Sequence, residues 1–190
     1  MIHDIVKRNR SYRRFDQKVP ISLDTLKDLV DLGRLSASSA NRQPLKYVLS
    51  SDPHRNALIF SCLGWAGYLP DWDGAVEGER PSAYIVMLGD KDLSSNFSVD
   101  EGIAAQSIML GAVGLGVGGW MLSSIKREKL RDALHIPDQY EILLVLALGK
   151  PIEEVQVEVV GADGNVKYWR DEKQVHHVPK RALKDVILDI

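Results

Sequence analysis

Apolar and polar positions alternate along the chain in a few regular patterns. Ile2, Ile5 and Val6 have the spacing of a turn and a half of helix, which would carry a basic run, residues 7–15, at its C-terminal end. Between residues 22 and 35, Leu26, Leu29 and Val30 form an apolar stripe behind Ser22, predicting a second helix with a serine N-cap. Residues 45–50 read as a short strand. Residues 82–88, with Tyr84, Ile85, Val86 and Met87 in succession, read as a buried one. Residues 57–69 predict a helix carrying Trp65 and Tyr68, ended by Pro70-Asp71-Trp72-Asp73-Gly74.

The second half is more strongly patterned. Ser98 and Glu101 read as a capping box opening a helix through Val113. That helix is small or apolar on every side, so it is expected to be buried all round, at the core and at a subunit interface. Leu115-Gly116-Val117-Gly118-Gly119-Trp120 follows it. A dinucleotide fingerprint needs strand, glycines, then helix; here the order is helix, glycines, strand, which excludes that reading. Ser124 is placed as the cap of a helix through Leu134, stopped at Ile136-Pro137. Residues 141–148 are continuously apolar and predict a central strand. Alternation over 155–159 and 166–168 around Asp163-Gly164 predicts a hairpin.

Composition narrows the function. A chain of 190 residues, 45% hydrophobic and 26% charged, is read as a single domain, 1–190, with a full core. A net charge of −2 gives no basic footprint for nucleic acid. No apolar run is long enough for a membrane, and His3, Asp4, Lys7 and Arg8 interrupt any signal-like stretch. Cys62 is the sole cysteine, so no intrachain disulfide forms; it is expected to be a buried apolar residue, and a cytoplasmic location fits. Glu77-Gly78-Glu79 reads as a surface loop. His176-His177 is not a metal-ligand spacing, and no serine sits in a nucleophile elbow.

Against this neutral background the basic run stands out. Five of the nine residues from 7 to 15 are cationic: Lys7, Arg8, Arg10, Arg13 and Arg14. Forked guanidinium donors match a phosphate group. The helix dipole accounts for Lys7 and Arg8 but less well for Arg13 and Arg14. Residues 36–44 form a second polar stretch, whose hydroxyl and amide groups suit polar ring edges, though they also suit an ordinary turn.

Taken in order, these stretches resemble the FMN-dependent nitroreductase family. Arg10-Ser11-Tyr12-Arg13-Arg14-Phe15 is similar to its Arg-Ser-x-Arg-x-Phe motif, and Ser38-Ser39-Ala40-Asn41-Arg42-Gln43-Pro44 to its Ser-Ser-x-Asn-x-Gln-Pro loop. The 100–106 helix with its glycine exit, and Lys180-Arg181, resemble two further family features. The resemblance implies an α+β fold, a mixed central β-sheet flanked by helices, with the long buried helix at the interface of a homodimer. It implies FMN held by Arg10, Ser11, Tyr12, Arg13, Arg14, Lys180 and Arg181. From the partner subunit would come Ala37, Ser38, Ser39, Asn41 and Gln43, while Met121, Leu122 and Ser123 face the ring. Asn9 departs from the pattern, in which many members have a second Arg. NADH or NADPH would be the transient donor, and a nitroaromatic, quinone or similar oxidant the acceptor, in a ping-pong cycle. Trp65, Tyr68, Trp72 and Trp120 could line the pocket, and residues 168–171 could form a lid. The alternatives are a flavin-binding protein without turnover and a non-flavin protein binding another phosphate ligand.

Overall fold

The computed structural model describes residues 1–65, 67–69 and 72–189. The first half contains helix α1 (Ile2–Arg8), strand β1 (Phe15–Asp16), helix α2 (Leu23–Arg34), strand β2 (Leu45–Ser50) and helix α3 (Pro53–Phe60). Then come β3 (Ala83–Asp90), α4 (Ser98–Gly114), β4 (Gly118–Leu122), α5 (Arg127–Leu134) and β5 (Tyr140–Pro151). The chain ends in β6 (Val155–Val159), β7 (Trp169–Arg170) and β8 (His176–Lys180), followed by a short 3₁₀ turn.

All eight residues of β3 are buried, so the strand has no solvent face and must be covered on both sides. Its period-2 alternation divides the core. Ile85 and Met87 join Leu26, Leu29, Ala104, Ala105, Ile108 and Leu146 beneath α2 and α4. Tyr84, Val86 and Leu88 join Ile59, Leu63, Leu130, Ile142 and Val145 beneath α3 and α5. The result is three layers, helices on both faces of a five-stranded sheet ordered β1-β5-β3-β2, with β4 also on β5. The named pairings of this sheet are antiparallel, and a parallel bridge joins Ser11 to Gly119. A separate three-stranded sheet, β6-β8-β7, has β6 and β8 parallel.

Where the expected elements and the structure differ, a local competitor decides. Ser98 is not the cap: its N–H and hydroxyl both donate to Asn96 Oδ1, and Phe97 holds the N-cap position. The 57–69 helix ends at Phe60. Beyond it, Gly64 N–H donates to Ser124 O at 2.8 Å and Leu63 bridges Ile125, drawing the chain to another partner. Pro70 and Asp71 of the expected helix stop lie outside the described residues. Lys126, not Ser124, occupies the N-cap position of α5. The 155–168 hairpin does not form, because β6 takes β8 as its neighbour, and only Trp169–Arg170 pairs antiparallel to it. α4 buries Ala104, Ala105, Ile108, Met109 and Ala112, but Val99, Gly102, Ile103 and Gln106 leave one side open in the single chain.

α2 follows the expected pattern, capped by Ser22 Oγ, which accepts from Thr25 N–H at 3.0 Å. The central strand at 141–148 is also there, extended to twelve residues as β5. Cys62 is fully buried.

Candidate functional site

The basic run becomes a site because backbone pairing fixes it to the sheet. Tyr12 N–H donates to Gly119 O at 3.1 Å, placing residues 10–13 alongside β4. Glycine at 119 permits the close approach of β4 to β5 and α4. A Cβ there would lie 2.7 Å from Ala147 O and 2.9 Å from Met109 Cε. Between these elements opens a cavity of about 480 Å³, a size suited to a small-molecule cofactor. Asn9, Arg10, Ser11 and Arg13 line one wall, and Gln106, Met109 and residues 119–121 line others. Tyr168, His176, Val178 and Lys180 complete it.

Arg13 is the most constrained member. It is buried, and its guanidinium carbon lies 4.5 Å from the Trp120 ring centroid and 4.3 Å from that of Tyr168. Such contacts attract the cation to the ring faces. Its Nη1 donates to Ser11 O at 3.2 Å and to His176 Nε2 at 2.6 Å. Its backbone N–H donates to Glu153, whose other oxygen accepts from Arg170 Nη2 at 3.0 Å. Burial pulls the Arg13 pKa down from its ordinary value, opposed by Tyr168 and Glu153. The group still carries its charge at neutral pH.

His176 is fully buried. Burial, then the charges of Arg13, Arg170 and His177, lowers its pKa from 6.5 to about 4. The fold therefore holds a neutral imidazole, whereas the unfolded chain takes up a proton as pH falls below 6.5. The stability contributed by this residue is complete above pH 6.5 and is lost as pH falls through about 4. The limiting slope is about 1.4 kcal/mol per pH unit. Denaturant midpoints between pH 7 and 5 should fall for the wild type, and less for His176→Gln. Identical slopes would remove His176 as the cause.

The remaining expected site residues are dispersed. Arg14 turns away, its Nε and Nη2 donating to the two oxygens of Glu79 at 2.7 and 2.6 Å. Glu79 is held below the usual carboxylate range by that contact. The pair is partly exposed, so Arg14→Ala should cost no more than about 1 kcal/mol. FMN uptake by that variant should match the wild type in a fluorescence titration. Tyr12 is half-buried and donates to Arg8 O at 3.0 Å. Met121 lines the cavity, Leu122 enters the core below α3, and Ser123 is exposed. Arg181 is exposed and is not in the cavity wall, unlike Lys180.

Ala37, Ser38 and Gln43 line a different, smaller cavity of about 140 Å³ beside Asp100, while Ser39 and Asn41 are exposed on the same loop. One chain does not bring this loop to Arg13. The loop is locally strained: Ala40, Asn41 and Gln43 have φ of 50°, 53° and 51°, a left-handed region costly for residues with a Cβ. The hydrogen bonds that hold it include Ser39 N–H to Asp100 Oδ1 at 2.6 Å and Gln43 N–H to Ser38 Oγ at 2.9 Å.

Several residues in or behind the cavity wall carry no motif in the sequence. Glu153, behind it, and His176, in it, lie 140 and 163 residues from Arg13 along the chain. The histidine pair illustrates the difficulty. Along β8 the two alternate, and His177 instead stacks on Trp169 at 4.1 Å and faces Glu158. Of the expected aromatic residues, Trp120 lines the cavity, and Trp65 packs against Phe60, Trp72 and Trp120 behind it. Tyr168, from the expected lid, meets Tyr68 in a tilted contact at 5.0 Å and lies against Arg13.

The nitroreductase family model matches residues 6–68 and 78–150. The chain is similar to an NADPH-dependent oxidoreductase of Staphylococcus epidermidis, 24% identical over 168 residues, covering 80% of this chain and 66% of that one. It thus spans just under two thirds of that relative's length. It is also similar to the NADPH-flavin oxidoreductase of Vibrio harveyi, 22% identical over 172 residues and covering 82% and 68% of the two chains. Among solved structures, an FMN-dependent nitroreductase of Clostridium difficile R20291 matches with a TM-score of 0.64 at 22% identity. That match covers 79% of this chain and 87% of that one. Glu153, Tyr168, Arg170, His176 and Lys180 all lie beyond the residues matched by the family model.

Proposed function

The chain belongs to the nitroreductase family, and from that premise we propose that it is an NAD(P)H-dependent FMN oxidoreductase. The oxidants proposed are nitroaromatic, quinone-like or similar small acceptors, served in a ping-pong cycle. The observation that carries the reading is a set of unmet donors around one cavity. Arg10 Nε, Arg13 Nε and His176 Nδ1 are buried and have no hydrogen-bond partner among the described residues, and all three residues line it. Buried donors without acceptors cost about 1–3 kcal/mol each, so an oxygen-rich anion at this place would relieve them. The residues present fit a flavin mononucleotide.

Arg10 and Lys180 would hold the phosphate, and Ser11 and Arg13 the polar edge of the ring. Residues 119–121 line the cavity, with no side chain at Gly119. FMN, when bound, supplies the hydride-accepting and hydride-donating chemistry. The protein supplies position, charge and a dry setting. A cation such as Arg13, partly removed from water, favours negative charge on a neighbouring ring more than it would in solvent. The relatives support this assignment through their printed names, an NADPH-flavin oxidoreductase and an FMN-dependent nitroreductase.

The loop carrying Ala37, Ser38, Ser39, Asn41 and Gln43 would come from a second copy of the chain, completing each site in a homodimer. The open side of α4, with Val99, Gly102, Ile103 and Gln106, is the surface proposed for that contact. Among the described residues no helix is long and apolar enough to cross a membrane.

The visible spectrum of the purified protein, recorded before and after anaerobic NADH or NADPH, tests the whole reading. Flavin absorption that bleaches on addition of the donor is expected. Flavin without bleaching would indicate a binding protein lacking turnover. Absence of flavin, with no uptake on reconstitution, would point to another phosphate ligand and overturn the proposal.

A further inference from the structure

We infer that His176 is a positioning residue for Arg13: a neutral hydrogen-bond acceptor that fixes the guanidinium without neutralising it. The inference rests on the flavin reading above. It starts from who accepts Arg13's hydrogen bonds. Nη1 gives its protons to Ser11 O and His176 Nε2, both uncharged. The nearby carboxylate, Glu153, takes the backbone N–H of Arg13 and the guanidinium of Arg170 instead. The acid is thus engaged by Arg170, in an ion pair whose side chains are 10% and 0% exposed, and the charge of Arg13 is left for the cavity.

Chemistry fixes the form of the imidazole. A guanidinium only donates, so a histidine nitrogen 2.6 Å from Nη1 must present a lone pair. Nε2 is then the acceptor and the single ring proton sits on Nδ1. A protonated ring would put two cations in contact.

Geometry explains why the contact is rigid. The Trp120 and Tyr168 ring centroids lie 4.5 and 4.3 Å from the guanidinium carbon, which restricts its motion. His176 sets the stop. The histidine is itself fixed by strand pairing, its N–H donating to Glu154 O at 2.9 Å and its register partners being Val155 and Arg170. A carboxylate at position 176 would make a stronger, charge-assisted bond to Arg13. It would also cancel the field that a bound anion needs. A neutral acceptor separates orientation from charge.

The test uses the full chain reconstituted with FMN, in wild type, His176→Gln, His176→Glu and His176→Ala. Three readouts are needed: FMN affinity, the midpoint potential of the bound flavin, and imidazole ¹⁵N shifts of the ligand-free wild type at pH 7. The shifts are expected to show the neutral tautomer protonated at Nδ1. Gln, which keeps a neutral acceptor, should hold FMN within about threefold of wild type, while Ala and Glu should each weaken it by roughly tenfold or more. Glu should also lower the potential, because less positive charge then faces the reduced ring. A merely structural histidine would leave the loaded Gln and Ala variants at the same potential, whereas loss of Arg13 positioning should lower it in Ala but not in Gln, and equal potentials overturn the inference. Equal FMN affinity of Gln and Ala overturns it as well. Imidazole shifts showing a charged ring or protonated Nε2 overturn it independently of flavin. Failure of the wild type to take up FMN would refute the flavin reading, with the ¹⁵N signature then deciding the clamp alone.

Discussion

Arg13→Ala should leave a protein that loses FMN on gel filtration, with affinity about 10–100-fold below wild type. The estimate follows from hydrogen bonds to charged groups, which contribute about 1.5–3 kcal/mol each, at about 1.4 kcal/mol per decade of affinity. Arg13 is singled out over Arg10 because Nη1 and the guanidinium carbon are already held while Nε is left for a ligand. Its ring contacts, Ser11 O and His176 fix it from within the chain, so little freedom remains to be lost on binding. The flavin potential of whatever cofactor remains should fall, since a cation near the reduced ring has been removed. Arg13→Lys keeps the charge but not the planar fork between Trp120 and Tyr168, and should recover only part of the affinity. Fluorescence titration with FMN is the measurement. An alanine variant with unchanged affinity and potential would sink the assignment of Arg13.

The second large effect concerns stability. Glu153→Gln should destabilise the fold by about 3–5 kcal/mol, because breaking a buried ion pair strands the remaining charge. Arg170 would be that charge; its side chain is 10% exposed against 0% for Glu153. For a chain of this size the melting temperature should drop by about 6–20 °C. Exchanging Arg170 together with Glu153 for neutral residues should restore much of the loss, since the penalty lies in the unpaired charge. Urea unfolding of the single and double variants decides it. A single-variant loss below about 1 kcal/mol would mean that the pair is solvated and contributes as a surface bridge does.

Strong local signals carried the architecture. The uninterrupted apolar runs of β3 and β5 and the Ser22-capped stripe of α2 depend on residues close together in the chain, and each stands where its pattern put it. The wall of the site depends on the opposite condition. Tyr168 and His176 reach Arg13 only after the sheet is built, and a neutral histidine beside another histidine carries no distinguishing pattern. Arg14 shows the same limit from the other direction. Its motif neighbour Arg13 enters the cavity, while Arg14 pairs with Glu79. Ser98 failed as a cap because Asn96, two residues upstream, offered its own acceptor. In each case the missing information was a competing partner.

The order in which the chain is made gives the β8 clamp a further consequence. His176 leaves the ribosome 163 residues after Arg13. At about 5–20 residues per second, that interval is roughly 8–33 seconds. During it Arg13 lacks the histidine that fixes its place, and the cavity lacks Tyr168, Val178 and Lys180. A nascent chain can build β3 against β2 without waiting, but the anion-holding wall needs β8. Cofactor capture is therefore expected only after β8 has emerged.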